Sequence, residues 1–242
     1  MNEEHRRWFS SFIGKDFDML VFGQSGFPII LFPTSKGSYY QYRDFGLIEC
    51  VKNYVDDGRV KIFTPDSYDA QSWYNDEIHP FDKVQNHVAY EQMILNEVLF
   101  AAIQETGYSK VAVSGCSFGG FHAANIAFRH PAHIGYMLSL GGAFNIKQFI
   151  GNYYDDNCYY NNPPDYLPNL RDEWYLNKFR AMSIILGTGE TDVCREDNIR
   201  LSSILHSLNV PHWLDNREGF GHDWHWWKKQ FAQYVSQMRE TQ

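Results

Sequence analysis

The sequence predicts a single α/β domain built on a mostly parallel sheet with helices on both faces, and three observations predict it. Short apolar runs alternate with longer segments whose apolar residues recur at helical spacing. One strand-to-helix junction carries the glycine-rich string Gly115-Cys116-Ser117-Phe118-Gly119-Gly120. A length of 242 residues suits one core, and 44% hydrophobic with 17% aromatic content is enough to fill it.

Residues 18–22 and 27–32 are apolar runs separated by Gly23-Gln24-Ser25-Gly26, which reads as an opening antiparallel hairpin. A helix-like stretch over 45–55 ends at Asp57-Gly58, and 60–63, followed by Pro65-Asp66, reads as the next strand. Tyr90, Ile94, Val98 and Ala101 recur at helical spacing before the polar stretch 107–110 and a buried strand beginning at Val111. A helix over 118–128 and a strand over 136–140 complete a β-α-β unit. Residues 183–186 predict a strand, Leu201, Ile204, Leu205 and Leu208 a helix, and 210–214 a last strand. In the closing segment Trp224, Trp227, Phe231, Tyr234 and Met238 share one helical face, a core-packing stripe.

No repeat, low-complexity linker or compositional shift divides the chain, so residues 1–242 are expected to be one domain. The segment 145–178 breaks the rhythm. It is rich in Tyr, Asn, Asp and Pro and has no clear period, so it is read either as an insertion over the site, such as a lid, or as an ordinary surface excursion.

With 21 Lys plus Arg against 29 Asp plus Glu, the net charge is −8, which argues against a nucleic-acid partner. No apolar stretch approaches the roughly 18 residues of a spanning helix, so no membrane partner is expected. The first ten residues lack a secretory apolar run, and the four cysteines show no C-x-x-C pair, which together point to a cytoplasmic location. Exposed aromatic residues would serve a homo-oligomer contact as readily as a pocket.

The elbow string carries the chemistry. A serine hydroxyl projecting from a strand end needs a sharp, strained turn with small residues two positions before and after it, and Gly115 and Gly119 flank Ser117 in that way. Such a serine needs a base. With this kind of elbow the order along the chain is serine, acid, histidine, so the base belongs between the last strand and last helix. His222 lies there in Gly219-Phe220-Gly221-His222-Asp223-Trp224; its rival His225 falls on the following helix by spacing, and His212 falls in the last strand. His222 and His225 also form an H-x-x-H, but no further metal ligands are marked, so no metal is expected.

The acid should follow the strand before last, in Gly187-Thr188-Gly189-Glu190-Thr191-Asp192. Asp192 fits best, with Glu190 and Asp197 as alternatives; its bland reading is a helix cap. An oxyanion would take one N–H from Phe118, the residue after the nucleophile, and a second from the loop Pro33-Thr34-Ser35-Lys36-Gly37, at Ser35 or, nearly as well, Thr34.

These residues resemble the esterase D-like family of α/β-hydrolases, related to S-formylglutathione hydrolases and mycolyltransferases. The resemblance runs through 28–37, the 66–74 segment with Gln71-Ser72-Trp73-Tyr74, the elbow at Ser117, 187–192 and the His222-x-Trp224 ending. It implies the α/β-hydrolase fold, a mostly parallel sheet with an opening antiparallel hairpin, and a serine esterase that uses no cofactor on a small-molecule ester. It also implies that the Ser35 N–H serves the oxyanion hole and that Ser72, Trp73 and Tyr74 line an acyl pocket. The chain departs from the pattern at Pro33-Thr34, where many relatives have His-Gly or Asp-Gly, which bears on the oxyanion hole more than on the nucleophile.

The expected mechanism is acylation of Ser117 followed by water attack, with His222 as base and acid and Asp192 orienting it. Acyl transfer to another alcohol would use the same acyl-enzyme. A non-catalytic binding protein on the same fold is the other reading, and an intact Ser117, His222 and Asp192 set argues against it.

Overall fold

The computed structural model describes residues 1–238. In chain order the elements are β1 (Glu3–Ser10), β2 (Lys15–Phe22), β3 (Phe27–Phe32), α1 (Gln41–Asp44), α2 (Lys52–Asp56), β4 (Val60–Pro65), α3 (Pro80–Met93), α4 (Phe100–Thr106), β5 (Val111–Cys116) and α5 (Phe118–Arg129). There follow β6 (Ile134–Leu140), α6 (Asp156–Tyr160), α7 (Pro163–Tyr166), α8 (Glu173–Arg180), β7 (Ser183–Gly189), α9 (Arg195–Ser207), β8 (Trp213–Arg217) and α10 (Trp224–Gln237). The strands form one eight-stranded sheet in the order β1-β2-β4-β3-β5-β6-β7-β8. Strands β4, β3 and β5 to β8 are mutually parallel, and β1 and β2 join antiparallel at one edge.

An opening antiparallel hairpin is present, but its strands are β1 and β2 rather than 18–22 with 27–32. Strand β4 lies between β2 and β3. The reason is local: a Cβ on Gly26 would sit 2.5 Å from the Val60 nitrogen, so the turn after β2 is packed against the start of β4 instead of folding β3 back on β2. The last strand begins at Trp213, three residues later than its apolar run suggests.

Strand β3 shows why the sheet holds two cores. Ile30 and Phe32 pack on one face with residues of α3, α4, α5 and α9, while Ile29 and Leu31 pack on the other with α10 and residues 42–55. All four are fully buried, as expected of a parallel strand covered on both sides. The α10 stripe behaves as its spacing predicts, with Trp227, Phe231, Tyr234 and Met238 in the second core.

The segment 145–178 is ordered rather than structureless. Short helices α6, α7 and α8 fill it, tied by polar side chains that mask any apolar period: Asp165 accepts from Lys147 Nζ and Asn162 Nδ2, and Asn162 Oδ1 accepts from Ile146 N. Among the described residues no helix is long and apolar enough to cross a membrane.

Between α3 and α5 lies a buried polar seam. His87 Nε2 lies 3.1 Å from Asn161 Oδ1 and 3.2 Å from Asn125 Nδ2, and burial depresses its imidazole from 6.5 to about 3. Burial alone would raise the neighbouring Glu91 carboxyl, but the His130 hydrogen bond and Arg129 outweigh it and hold it at about 2. Between those two His87 values the unfolded chain binds a proton that the folded chain refuses, so acidification favours unfolding. Glu91 acts in the same direction below 4.5, because its carboxylate is favoured only in the folded state. The urea midpoint is therefore expected to fall between about pH 7 and about pH 4, and His87→Gln to flatten that slope; an unchanged slope in the variant would assign the effect to other groups.

Candidate active site

The strand order decides what meets at the carboxyl edge. Chain connections leave β3 and β5 in opposite directions, so a crevice opens between their ends. Phe32 pairs with Gly115 in the register, which sets the loop after β3 beside the turn after β5.

Ser117 occupies that turn with φ 56° and ψ −122°, a region that costs a non-glycine residue about 1–3 kcal/mol. Tight packing holds it there. A Cβ on Gly115 would lie 2.3 Å from the Gly119 carbonyl carbon, and one on Gly119 would lie 2.2 Å from the Phe32 oxygen. The Ser117 N–H donates to the Leu140 oxygen at 2.9 Å, and the Ser117 carbonyl accepts from Gly120 N and Ala143 N. Tyr42, fully buried, joins the two strand ends: its hydroxyl donates to the Phe32 oxygen and accepts the Cys116 N–H at 2.9 Å.

His222 lies on the loop before α10, freed from the helix because Asp223 caps it by accepting the His225 N–H at 2.8 Å. Its Nε2 is 2.9 Å from Ser117 Oγ, and its Nδ1 is 2.8 Å from Asp192 Oδ1. The Trp227 ring meets the imidazole edge-to-face at 4.9 Å and limits its rotation. Asp192 is buried, and the same Oδ1 accepts the Cys194 N–H at 2.7 Å in the turn before α9, whose N-cap is Cys194, so its carboxylate braces that turn rather than capping the helix.

The rival residues lie elsewhere. Glu190 is exposed and accepts from Gly219 N, and Asp197 accepts from Phe144 N with its carboxyl raised by burial. His225 is exposed on α10, and His212 bonds Ser202 Oγ. Asp192, Cys194 and His222 hold ligand atoms within 4.8 Å of one another, the one group of three metal-capable side chains among the described residues, and His225 is not in it. Burial, with Asp192 and Asp197 nearby, pushes the Cys194 thiol up to about 12, so it stays protonated.

The two candidate N–H donors expected of the loop after β3, Ser35 and Thr34, differ in what they bond. The Thr34 N–H goes to Gln41 Oε1, the Lys36 N–H to Asp69 Oδ2 and the Gly37 N–H to the Thr34 oxygen. Among the described residues, the Ser35 N–H has no such acceptor. The Phe118 N–H opens α5, where a helix offers no internal acceptor.

Ser72, Trp73 and Tyr74 do not act as one lining segment. Trp73 is fully buried against His87, Phe121 and Phe149, and the Ser72 hydroxyl donates to the Tyr68 oxygen, so both lie behind the site as packing. The turn at Asp69 explains this, since its carbonyl accepts both Ser72 N and Tyr74 N and only Tyr74 is brought outward. Tyr74 bonds Ser35 Oγ at 2.8 Å and meets the Phe118 and Phe149 rings. Phe149 brings the start of the 145–178 segment to this wall.

No protein-family model matches the chain, and no curated protein matches it in sequence. Solved structures do match. A ferulic acid esterase is 17% identical, covering 97% of this chain and 95% of its own, with a TM-score of 0.76. An S-formylglutathione hydrolase from Agrobacterium tumefaciens is 10% identical, covering 97% and 93%, with a TM-score of 0.73. The fluorophosphonate-binding serine hydrolase F of Staphylococcus aureus is 14% identical, covering 97% of each chain, with a TM-score of 0.68. This chain has the α/β-hydrolase fold.

Four residues that sequence reading missed complete the α/β-hydrolase crevice: Gln41, Tyr42, Asp69 and His122. The buried Asp69 Oδ1 lies 2.8 Å from His122 Nε2 while its other oxygen holds the Lys36 N–H. Each lies near a motif in sequence but belongs to no local pattern, because what joins them is contact across the fold, as between Asp69 and His122, 53 positions apart. The elbow itself tolerates no side chain at Gly119. Gly119→Ala is expected to cost about 3 kcal/mol in urea denaturation, because the Phe32 backbone cannot yield without moving β3; an unchanged midpoint would mean that the close approach is not a constraint.

Proposed function

We propose that this protein is a serine esterase that cleaves carboxylic esters of small molecules through an acyl-enzyme. The observation that carries the reading is the continuous hydrogen-bonded chain from Ser117 Oγ through His222 to Asp192. Names of structural neighbours, a ferulic acid esterase and an S-formylglutathione hydrolase, support the same reaction class.

In this reading His222 Nε2 takes the Ser117 proton as the hydroxyl oxygen attacks the ester carbonyl. Asp192 accepts a hydrogen bond from the Nδ1–H, fixing the tautomer that leaves Nε2 free, and stabilises the imidazolium that results. The tetrahedral oxyanion sits between the N–H groups of Phe118 and Ser35. Collapse expels the alcohol with the proton from His222; water then attacks the acyl-enzyme by the same steps, and no cofactor or metal is needed. Tyr74 and Phe149 give the acyl side an aromatic wall, and we take 145–178 as the source of that wall rather than as a lid.

Fluorophosphonate labelling tests the assignment, with modification expected at Ser117 in the native chain and none in Ser117→Ala. A folded native chain that resists the probe would overturn it. Asp192→Asn is expected to lower kcat by roughly 10⁴-fold, since the amide favours the wrong imidazole tautomer. Near-normal turnover would remove Asp192 from the mechanism.

A further inference from the structure

A second cavity, of about 320 Å³, opens at the far end of α5 from Ser117. The helix has 12 residues, so about 18 Å separates the two regions along its axis. Three features give this cavity a defined chemistry.

Its walls are mainly rings, from Phe128, His130, Tyr160, Tyr166 and Tyr175, closed by Leu170, with the His130 Nε2 bonded to Glu91. Two of the lining side chains carry donors. Tyr166 is 8% exposed and its hydroxyl is buried without a hydrogen-bond partner, a state that is costly unless a ligand group satisfies it. Arg129 donates from Nε to Glu91 and from Nη1 to the Tyr160 oxygen, which fixes the guanidinium while Nη2 makes no hydrogen bond among the described residues.

The lining contains no carboxylate, since Glu91 lies behind it and pairs with both Arg129 and His130. A fixed guanidinium beside an unmet hydroxyl suits an anionic acceptor, and planar aromatic walls suit a flat apolar body. A cavity of this size takes a small ligand.

We propose that this cavity binds a small aromatic carboxylate, its carboxylate accepting from Arg129 and Tyr166 and its ring lying among Tyr160, Tyr175 and Phe128. The site is separate from the Ser117 crevice and does not depend on the esterase reading. An anion here would reach Arg129 through Nη2, the guanidinium nitrogen used by neither Glu91 nor the Tyr160 oxygen.

Calorimetric titration of the intact chain with 1-naphthoate and with neutral 1-naphthalenemethanol tests the proposal. The acid should bind one to one, and the alcohol at least about tenfold more weakly. Tyr166→Phe should lose about tenfold in affinity for the acid while keeping or raising its urea midpoint, because it deletes a hydroxyl that has no partner in the free protein. Leu170→Trp fills the cavity from its rim and should abolish binding. Absence of naphthoate binding to the native chain would overturn the proposal. So would binding that survives both substitutions, which would place the ligand elsewhere, including in the Ser117 crevice.

Discussion

The contact that governs this structure is between two stretches of backbone: the first turn of α5 rests on the end of β3, with Gly119 against the Phe32 and Pro33 carbonyls. No side chain fits between them. The contact fixes the path of the chain through Ser117, whose positive φ is a consequence of how closely the helix must start behind the strand. It also fixes the neighbouring loop, since the residues that press on Gly119 lead directly into Thr34 and Ser35. Tyr42 clamps the same two strand ends from the opposite face of the sheet. The geometry between the Ser117 turn and the Ser35 loop is therefore set by the core and not by the surface loops themselves.

A second layer of control comes from Asp69. One carboxylate holds the Lys36 N–H and His122, while its backbone carbonyl accepts the N–H groups of Ser72 and Tyr74. The loop carrying Ser35 and the loop carrying Tyr74 thus share one anchor, and the 2.8 Å Ser35–Tyr74 bond closes the ring between them. Burying the polar side chains of Asp69 and His122 is expensive in desolvation, which their hydrogen bond offsets. Its effect here is on shape: Asp69 takes the Lys36 N–H, Gln41 the Thr34 N–H and the Thr34 oxygen the Gly37 N–H, which among the described residues leaves the Ser35 N–H without an acceptor.

The elbow was legible in the sequence because strand and helix periods flank a serine bracketed by small residues, and each of those features is local. His222 and Asp192 were legible by their order and by the turns that hold them. The edge strand β1 was not: Glu3, Glu4, Arg6 and Arg7 sit on a solvated edge, where charge discourages further pairing and erases the alternation of a half-buried strand. The position of β4 between β2 and β3 depends on how Gly26 packs against a strand 34 residues later, which no local pattern records. In 145–178, helices of four to eight residues are stabilised by Asn and Asp side chains more than by an apolar face, so periodicity had nothing to register. Asp69 and His122 are separated by 53 positions and meet only through the fold.

The separations in the hydrogen-bonded chain at the site raise the same question, since Ser117 and His222 are 105 residues apart and Asp192 and His222 are 30 apart. Parallel pairing resolves it. Strands β5, β7 and β8 all finish at one edge, so every strand-to-helix junction delivers its residues to the same rim. Ser117 caps α5, Asp192 holds the turn before α9, and His222 precedes the cap of α10. Each thus lies within three residues of the start of a helix that holds it in place. An antiparallel sheet would send alternate junctions to opposite edges; the parallel order is what lets three distant, individually unremarkable turns present their side chains to one point.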